Sequence, residues 1–139
     1  MKGFRVRYAK SKKEGTNEIV TCFEGVKSLG VRAFYRGANE EAGSEYHTGE
    51  DPSKRPERFF IASGEMEFNV CNGLRRETIK VEKGTEVEID PLVWHATCTL
   101  TDVIYLKPIQ PGKKVDDTVH ITLEDFRERF RKNELYKGK

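Results

Sequence analysis

Residues 65–82, EMEFNVCNGLRRETIKVE, decide the fold. Apolar and polar side chains alternate along residues 66–70, and the alternation returns along residues 78–81. A period of two is typical of a β-strand with one buried face. The pair Asn72-Gly73 between the two runs favours the positive backbone φ angles of a tight type I′ turn. This stretch therefore predicts an antiparallel hairpin.

The same period continues in both directions from this hairpin. It is present along residues 4–8, 31–35 and 86–90, and glycines separate the short runs. Many short strands divided by turns predict an all-β sandwich or barrel. The Lys- and Glu-rich residues 10–18 interrupt the pattern and are predicted to form a loop.

The C-terminal tail has a helical pattern instead. Thr122 can cap a first turn, and Leu123, Phe126 and Phe130 fall on one face of a helix. Ile121 is placed to pack against Phe126 across the cap. A short C-terminal α-helix over about residues 123–135 is therefore expected.

Composition limits the class of protein. The chain has 139 residues, 36% of them hydrophobic and 35% charged, with a net charge of +2. Such a chain can bury enough apolar surface to fold as one domain. It lacks an apolar run long enough to cross a bilayer, and its first residues lack an apolar signal core, so we expect a cytoplasmic protein without a membrane partner. Basic and acidic residues are interleaved, which argues against nucleic acid as a partner.

The three cysteines are Cys22, Cys71 and Cys98. An odd number without CxxC spacing argues against both a disulfide framework and a zinc ribbon. Free thiols are therefore expected.

Four side chains could hold a metal ion. Glu45 and His47 alternate along one segment, so in a strand they project from the same face. Glu57 directly precedes an apolar run, and His95 follows Trp94 near another predicted strand. Imidazole and carboxylate groups together are typical ligands of divalent transition metals.

These segments resemble the motifs of the cupins, small barrels with a double-stranded β-helix fold. Residues 57–64, ERFFIASG, are similar to the E-x6-G half of the first cupin motif, and Glu45-Tyr46-His47 stands where cupins have HxH. Nine residues separate His47 from Glu57, where the motif has three or four. Pro91 and His95 resemble the second motif, although Leu92 replaces its glycine and Thr99 its asparagine.

The resemblance implies a single cupin-like domain over residues 1–139, with the jelly-roll barrel at about 28–108. It also implies one divalent metal, which could be Mn, Fe, Ni, Co or Zn, bound by His47, Glu57 and His95. Glu45 would be a fourth ligand or a base, and Tyr46 a second catalytic candidate.

Cupins that have a similar Glu-Arg-Phe-Phe strand after a longer loop act on sugars and sugar nucleotides, and they include isomerases and epimerases. The resemblance thus suggests a metal-dependent enzyme with a small polar, carbohydrate-like substrate. The alternative is a metal-free cupin that binds a small molecule or serves as a structural module, because the HxH motif is incomplete. Cupins commonly pair, so a homodimer is expected, with the strand at residues 4–8 covering an edge of the second copy.

Overall fold

Twelve β-strands build two antiparallel sheets and a separate hairpin in the computed structural model, which describes residues 1–137. The strands are β1 Phe4–Tyr8, β2 Lys10–Glu14, β3 Asn17–Thr21, β4 Gly30–Arg36, β5 Glu41–His47, β6 Glu57–Ser63, β7 Glu65–Cys71, β8 Arg76–Glu82, β9 Thr85–Ile89, β10 Trp94–Thr99, β11 Val103–Ile109 and β12 Thr118–His120. A 3₁₀ turn at Pro52–Lys54 precedes β6. The α-helix α1 spans Leu123–Arg131, and a second 3₁₀ turn follows at Leu135–Lys137.

Each main sheet has five strands. Their orders are β1-β9-β6-β11-β4 and β12-β5-β10-β7-β8. The inward faces of the two sheets enclose an apolar core that includes Phe59, Met66, Phe68 and Val87. The all-β prediction is confirmed, and the sheets extend beyond residues 28–108 because β1 and β12 belong to them.

The tail forms the predicted cap. The Thr122 hydroxyl accepts a hydrogen bond from the Asp125 amide. Phe126 is fully buried against the outer face of the second sheet, in a cluster with Tyr46 and Trp94. The helix ends at Arg131, earlier than the expected residue 135, and the chain continues to the second 3₁₀ turn.

Two local predictions are corrected. Residues 10–18 lie mostly in the β2–β3 hairpin rather than in a loop. The β7–β8 hairpin exists, but its connection is the four residues 72–75 and not a two-residue type I′ turn. The Asn72 side chain accepts hydrogen bonds from the amides of Leu74 and Arg75, and this interaction organises the longer loop.

Three observations complete the comparison with the sequence. Strand β1 pairs with β9 of its own chain, so it already has a partner without a second copy. The three cysteines are free, with Cys71 buried and the other two partly exposed. Within residues 1–137, no helix is long and apolar enough to cross a membrane.

Gly73→Ala should lower the free energy of unfolding by about 2 kcal/mol or more, because the residue has a φ of +94° and a Cβ there would lie 2.2 Å from the Phe130 ring. Urea denaturation measures the change. Gly25→Ala is the matched control, since Gly25 has a φ of +79° with nothing within 4 Å of its Cβ position. Equal losses for the two variants would contradict the packing of the loop against α1.

Candidate active site

Three strands and one connecting segment bring polar side chains together between the sheets. Glu45 and His47 lie on β5, Glu57 begins β6, and His95 lies on β10. The chain leading into β12 adds Asp117. His95 is the register partner of Glu45 in the β10–β5 ladder, which explains why these distant segments meet.

Glu57 is the centre of the cluster. Its Oε1 lies 3.1 Å from His47 Nε2 and 3.3 Å from His95 Nε2. The Glu45 carboxylate lies 3.4 Å from the same His47 nitrogen. The structure thus brings these four residues within contact distance of one another.

Two lysines contact the other oxygen of Glu57. Lys54 Nζ donates to Oε2 over 2.9 Å, and Lys107 Nζ also donates to it. The Lys107 ammonium lies 4.7 Å from the centre of the Phe59 ring. The carboxylate thus has an imidazole pair on one oxygen and an ammonium pair on the other.

These contacts determine the charge of Glu57. Burial alone would raise the pKa of its carboxyl, but Lys107 and the hydrogen bonds from the two histidines lower that pKa well below its usual value. Burial would lower the pKa of His95, yet its hydrogen bond to Glu57 gives a net rise. For Lys107, burial and the nearby Lys54 charge outweigh Glu57 and lower the pKa. Glu57 is therefore a buried anion at neutral pH.

The two histidines differ at their other ring nitrogen. His95 Nδ1 lies 3.1 Å from the backbone oxygen of Val93, which can only accept a hydrogen bond. His47 Nδ1 lies 3.4 Å from Asp117 Oδ1 and 3.1 Å from the Thr118 hydroxyl. His47 thus has a carboxylate next to its Nδ1, whereas His95 has a backbone carbonyl there.

Two backbone amides hold the Asp117 carboxylate in position next to His47. Its Oδ2 accepts hydrogen bonds from the amides of Gly49 and Asp51, at 2.9 and 3.2 Å. Its Oδ1 is buried without a hydrogen-bond partner within residues 1–137 and faces His47. Sequence analysis missed Asp117 because it lies outside the cupin-like motifs. The one available signal was a carboxylate immediately before a short alternating run, Thr118-Val119-His120.

A cavity of about 250 Å³ lies beside this cluster. Lys54 and Lys107 line it together with Phe34 and the Asp51 carboxylate. Three further cations complete its mostly positive rim: Arg32, Lys114 and Arg58, which is paired with Glu88. The cavity therefore favours a ligand with negative charge.

Arg36, on the same strand as Arg32, has internal partners. It donates to the Thr97 hydroxyl over 2.8 Å and to the Tyr105 hydroxyl over 3.2 Å. Stacking between Tyr105 and Phe34, with ring centres 4.9 Å apart, extends this wall towards the cavity.

The prediction of Tyr46 as a catalytic residue is corrected. Tyr46 is fully buried on the opposite face of β5 from Glu45 and His47. Its hydroxyl donates to the Leu135 carbonyl over 2.7 Å, and its ring packs edge-on against Phe126. Alternation along the strand turns this side chain away from the site, where it anchors the C-terminal segment.

The donor set also bears on the predicted metal. Ligand atoms of Glu45, His47 and His95 lie within 4.8 Å of one another. Two imidazoles and nearby carboxylates fit a divalent transition metal by their chemistry. The ammonium groups of Lys54 and Lys107 oppose it, since they already neutralise Glu57.

Comparison with solved structures identifies the architecture. QdtA, a sugar 3,4-ketoisomerase from Thermoanaerobacterium thermosaccharolyticum solved with TDP, superposes with a TM-score of 0.69 over 96% of this chain and 98% of its own, at 10% identity. The chain has the cupin fold. WlaRB, a TDP-quinovose 3,4-ketoisomerase from Campylobacter jejuni, gives 0.71 over 92% and 99%, at 12% identity.

A third similar structure is the dTDP-6-deoxy-D-glucose-3,5-epimerase RmlC from Legionella pneumophila. It gives a TM-score of 0.69 over 91% of this chain and 77% of its own, at 8% identity. No protein-family model matches the sequence, and no curated protein matches it. At these identities the likeness establishes the fold only.

Glu57→Gln should lower the free energy of unfolding at pH 7 by about 3 kcal/mol, because it leaves buried cations without their anion. Since the folded pKa of Glu57 is lowered, its ionised form stabilises the protein above the unfolded value of about 4.3, and this stability is lost as pH falls further. Denaturation of both proteins between pH 3 and 7 measures the difference, which should shrink below about pH 4. The control is Glu50→Gln, at an exposed carboxylate. A Glu57→Gln protein as stable as the control at pH 7 would contradict the charged cluster.

Proposed function

We propose that the protein is an isomerase or epimerase of a carbohydrate-like substrate, in which His47 moves a proton at a carbon next to a carbonyl. The observation that carries the proposal is the Asp117–His47 pair, which is linked through Glu57 to the two lysines that line a positively charged cavity. A carboxylate behind an imidazole orients the ring and stabilises the imidazolium that forms when the ring accepts a proton. The names of the similar structures, sugar ketoisomerases and an epimerase, support the same reaction class.

Two neighbouring groups, His47 and Glu45, would accept and return the proton. In the base form, His47 carries its hydrogen on Nδ1, directed at Asp117, and its Nε2 no longer donates to Glu57 and is available to accept the proton from the substrate carbon. Glu45 Oε2 lies 3.4 Å from this Nε2, so a proton taken at one of these groups can be returned through the other. Return of the proton to the former carbonyl carbon, with the proton of the adjacent hydroxyl passed to the old carbonyl oxygen, moves the carbonyl. Epimerisation instead needs a proton donor on the opposite face of the same carbon.

The cationic residues around the cavity would bind negative charge on the substrate. Loss of a carbon-bound proton leaves negative charge on the carbonyl oxygen, and Lys54 and Lys107 lie beside His47 on the shared carboxylate. The more distant Arg32, Arg58 and Lys114 can hold an anionic group of the substrate, such as the phosphates of a sugar nucleotide. His95, fixed between Glu57 and the Val93 carbonyl, serves to position Glu57.

His47→Asn should reduce proton exchange by a factor of about 10² to 10⁴. The assay incubates TDP-4-keto-6-deoxyglucose in D₂O and follows by NMR the loss of hydrogen from the carbons flanking the ketone. Asp117→Asn should reduce the rate as well and change its pH profile, because Asp117 acts through His47. His120→Asn, at an exposed histidine, should leave the rate unchanged. Exchange at the wild-type rate in the His47 variant would refute the assignment of the base.

A metal-binding site is the second candidate, and the spacing of Glu45, His47 and His95 favours it. In that case these residues with Glu57 would hold the ion, which would act as a Lewis acid. The lysines make a specific test possible, because they compete with a cation for Glu57.

Under the metal-binding hypothesis, replacing both lysines by methionine should tighten the binding of Mn(II), Fe(II), Ni(II) or Zn(II), and His95→Ala should remove it. Titration calorimetry on protein prepared without an affinity tag measures both effects. Stoichiometric binding by the wild type that His95→Ala abolishes would favour the metalloenzyme. Absence of binding by the wild type and by the double lysine variant would exclude this candidate.

A further inference from the structure

Strand β5 contains a β-bulge directly before the residues that it contributes to the candidate site. In the ladder with β10, Glu45 lies opposite His95. The next residue of β10, Ala96, lies opposite Gly43, so Ser44 is an extra residue on β5. A Cβ at Gly43 would lie 3.1 Å from both the Ala96 Cα and the His95 carbonyl oxygen, so the bulge packs tightly on β10. Bulges next to a site commonly redirect its side chains.

The bulge determines which side chains of β5 face the site. A ladder continued without the extra residue would place Ser44 opposite His95. Because side chains alternate along a strand, Tyr46 would then point into the barrel, and Glu45 and His47 would point outwards. The bulge shifts the alternation by one residue and therefore places Glu45 and His47 in the site.

Ser44 also contacts the C-terminal segment. Its hydroxyl donates a hydrogen bond to the Ile121 carbonyl over 2.8 Å, and its own carbonyl accepts one from the Ile121 amide over 3.0 Å. The Trp94 indole donates to the same Ile121 carbonyl over 2.9 Å. Side chains from both β5 and β10 thus hold the residue that directly follows β12.

Strand β12 determines where Asp117 lies. It forms the edge of the second sheet, and its first residue, Thr118, pairs with His47. Asp117 immediately precedes it, and the Asp117 carbonyl accepts a hydrogen bond from the Thr48 amide over 3.1 Å. With three residues, β12 is at the lower limit of strand length and makes few ladder hydrogen bonds. The additional bonds to Ile121 therefore help to fix its register.

We propose that Ser44 is a positioning residue for proton transfer: its hydroxyl holds Ile121 and thereby keeps Asp117 in contact with His47. This role rests on the proposed function, in which Asp117 and His47 form the proton-transferring pair. Ser44 acts through β12 and takes no part in the transfer itself.

The backbone conformation of Ser44 supports this role. Its φ of +63° lies in the left-handed region, which is unfavourable for a residue with a Cβ. Glycine would adopt the same conformation without that cost, so the feature that serine adds is the hydroxyl and its hydrogen bond to Ile121. Backbone strain of this kind persists where surrounding contacts enforce it, and it is concentrated at functional sites.

Ser44→Gly separates positioning from stability. It removes the hydroxyl but relieves the left-handed backbone, so the free energy of unfolding measured in urea should change little. The amides that donate to Asp117 should exchange with D₂O about fivefold faster or more, because the lost hydrogen bond favours local opening of β12. These are the amides of Thr48, Gly49 and Asp51, and NMR measures each of them. Ser44→Asn, which tolerates a positive φ and supplies an N–H donor, should restore slow exchange.

The proton-exchange assay provides the second readout. With TDP-4-keto-6-deoxyglucose, Ser44→Gly should lower the rate about fivefold and shift its pH profile towards that of Asp117→Asn, which a purely structural role would not do. Asn39→Gly is the matched control, because Asn39 is exposed, has a φ of +60° and lies outside β12 and its contacts. This variant should leave both readouts unchanged.

The two readouts distinguish failure of this proposal from failure of the proposed function. Unchanged amide exchange in Ser44→Gly would overturn the role of Ser44 whatever the activity of the wild type. Faster amide exchange with a wild-type rate of proton exchange would also overturn it, because the position of Asp117 would then not matter. An inactive wild type with faster amide exchange in Ser44→Gly would refute the proposed function but confirm that Ser44 positions Asp117.

Discussion

The burial of the Glu57 carboxylate is the constraint on which the rest of the site depends. An isolated carboxylate costs several kcal/mol to remove from water, so it must be paired from every side. The partners come from β5, β10, β11 and the 3₁₀ turn before β6. These elements meet only when the two sheets pack face to face, and closure of the barrel therefore assembles the site.

The same constraint gives the two histidines different roles. Both approach one oxygen of Glu57, but His95 is also fixed by a backbone carbonyl, whereas His47 faces the buried Asp117 carboxylate. A carboxylate can stabilise a positive charge that comes and goes on the ring, which a carbonyl does less well. This asymmetry is the reason to assign proton transfer to His47 and a positioning role to His95.

Sequence periodicity predicted most of the strands, and the capping residue Thr122 predicted the start of the helix. The convergence of Glu45, His47, Glu57 and His95 was predicted by the cupin resemblance, together with the shared strand face of Glu45 and His47. The error at Tyr46 was avoidable, because the alternation that directs residues 45 and 47 inward directs residue 46 outward. Lys54, Lys107 and Asp117 could not be identified in this way. Lys107 and Asp117 contact residues 50 and 70 positions away, which no local pattern records. Lys54 lies only three residues before Glu57, but its contact depends on the 3₁₀ turn at Pro52–Lys54.

Strand β4 shows a further limit of periodicity. Its alternation was visible, but a period of two does not say which face is buried. Here Val31, Ala33 and Tyr35 are exposed on one face, whereas Phe34 and Arg36 on the other face contact Tyr105. This orientation places Arg32 at the cavity and leaves apolar side chains on the outer surface.

The central claim is an ionised Glu57 that holds its imidazole neighbours in place, and nitrogen-detected NMR of the histidine rings tests it most directly. In the wild type, His95 should remain protonated above its ordinary pKa of 6.5, and Glu57→Gln should bring its titration down. A neutral His95 ring at pH 6, unchanged by the substitution, would contradict the account.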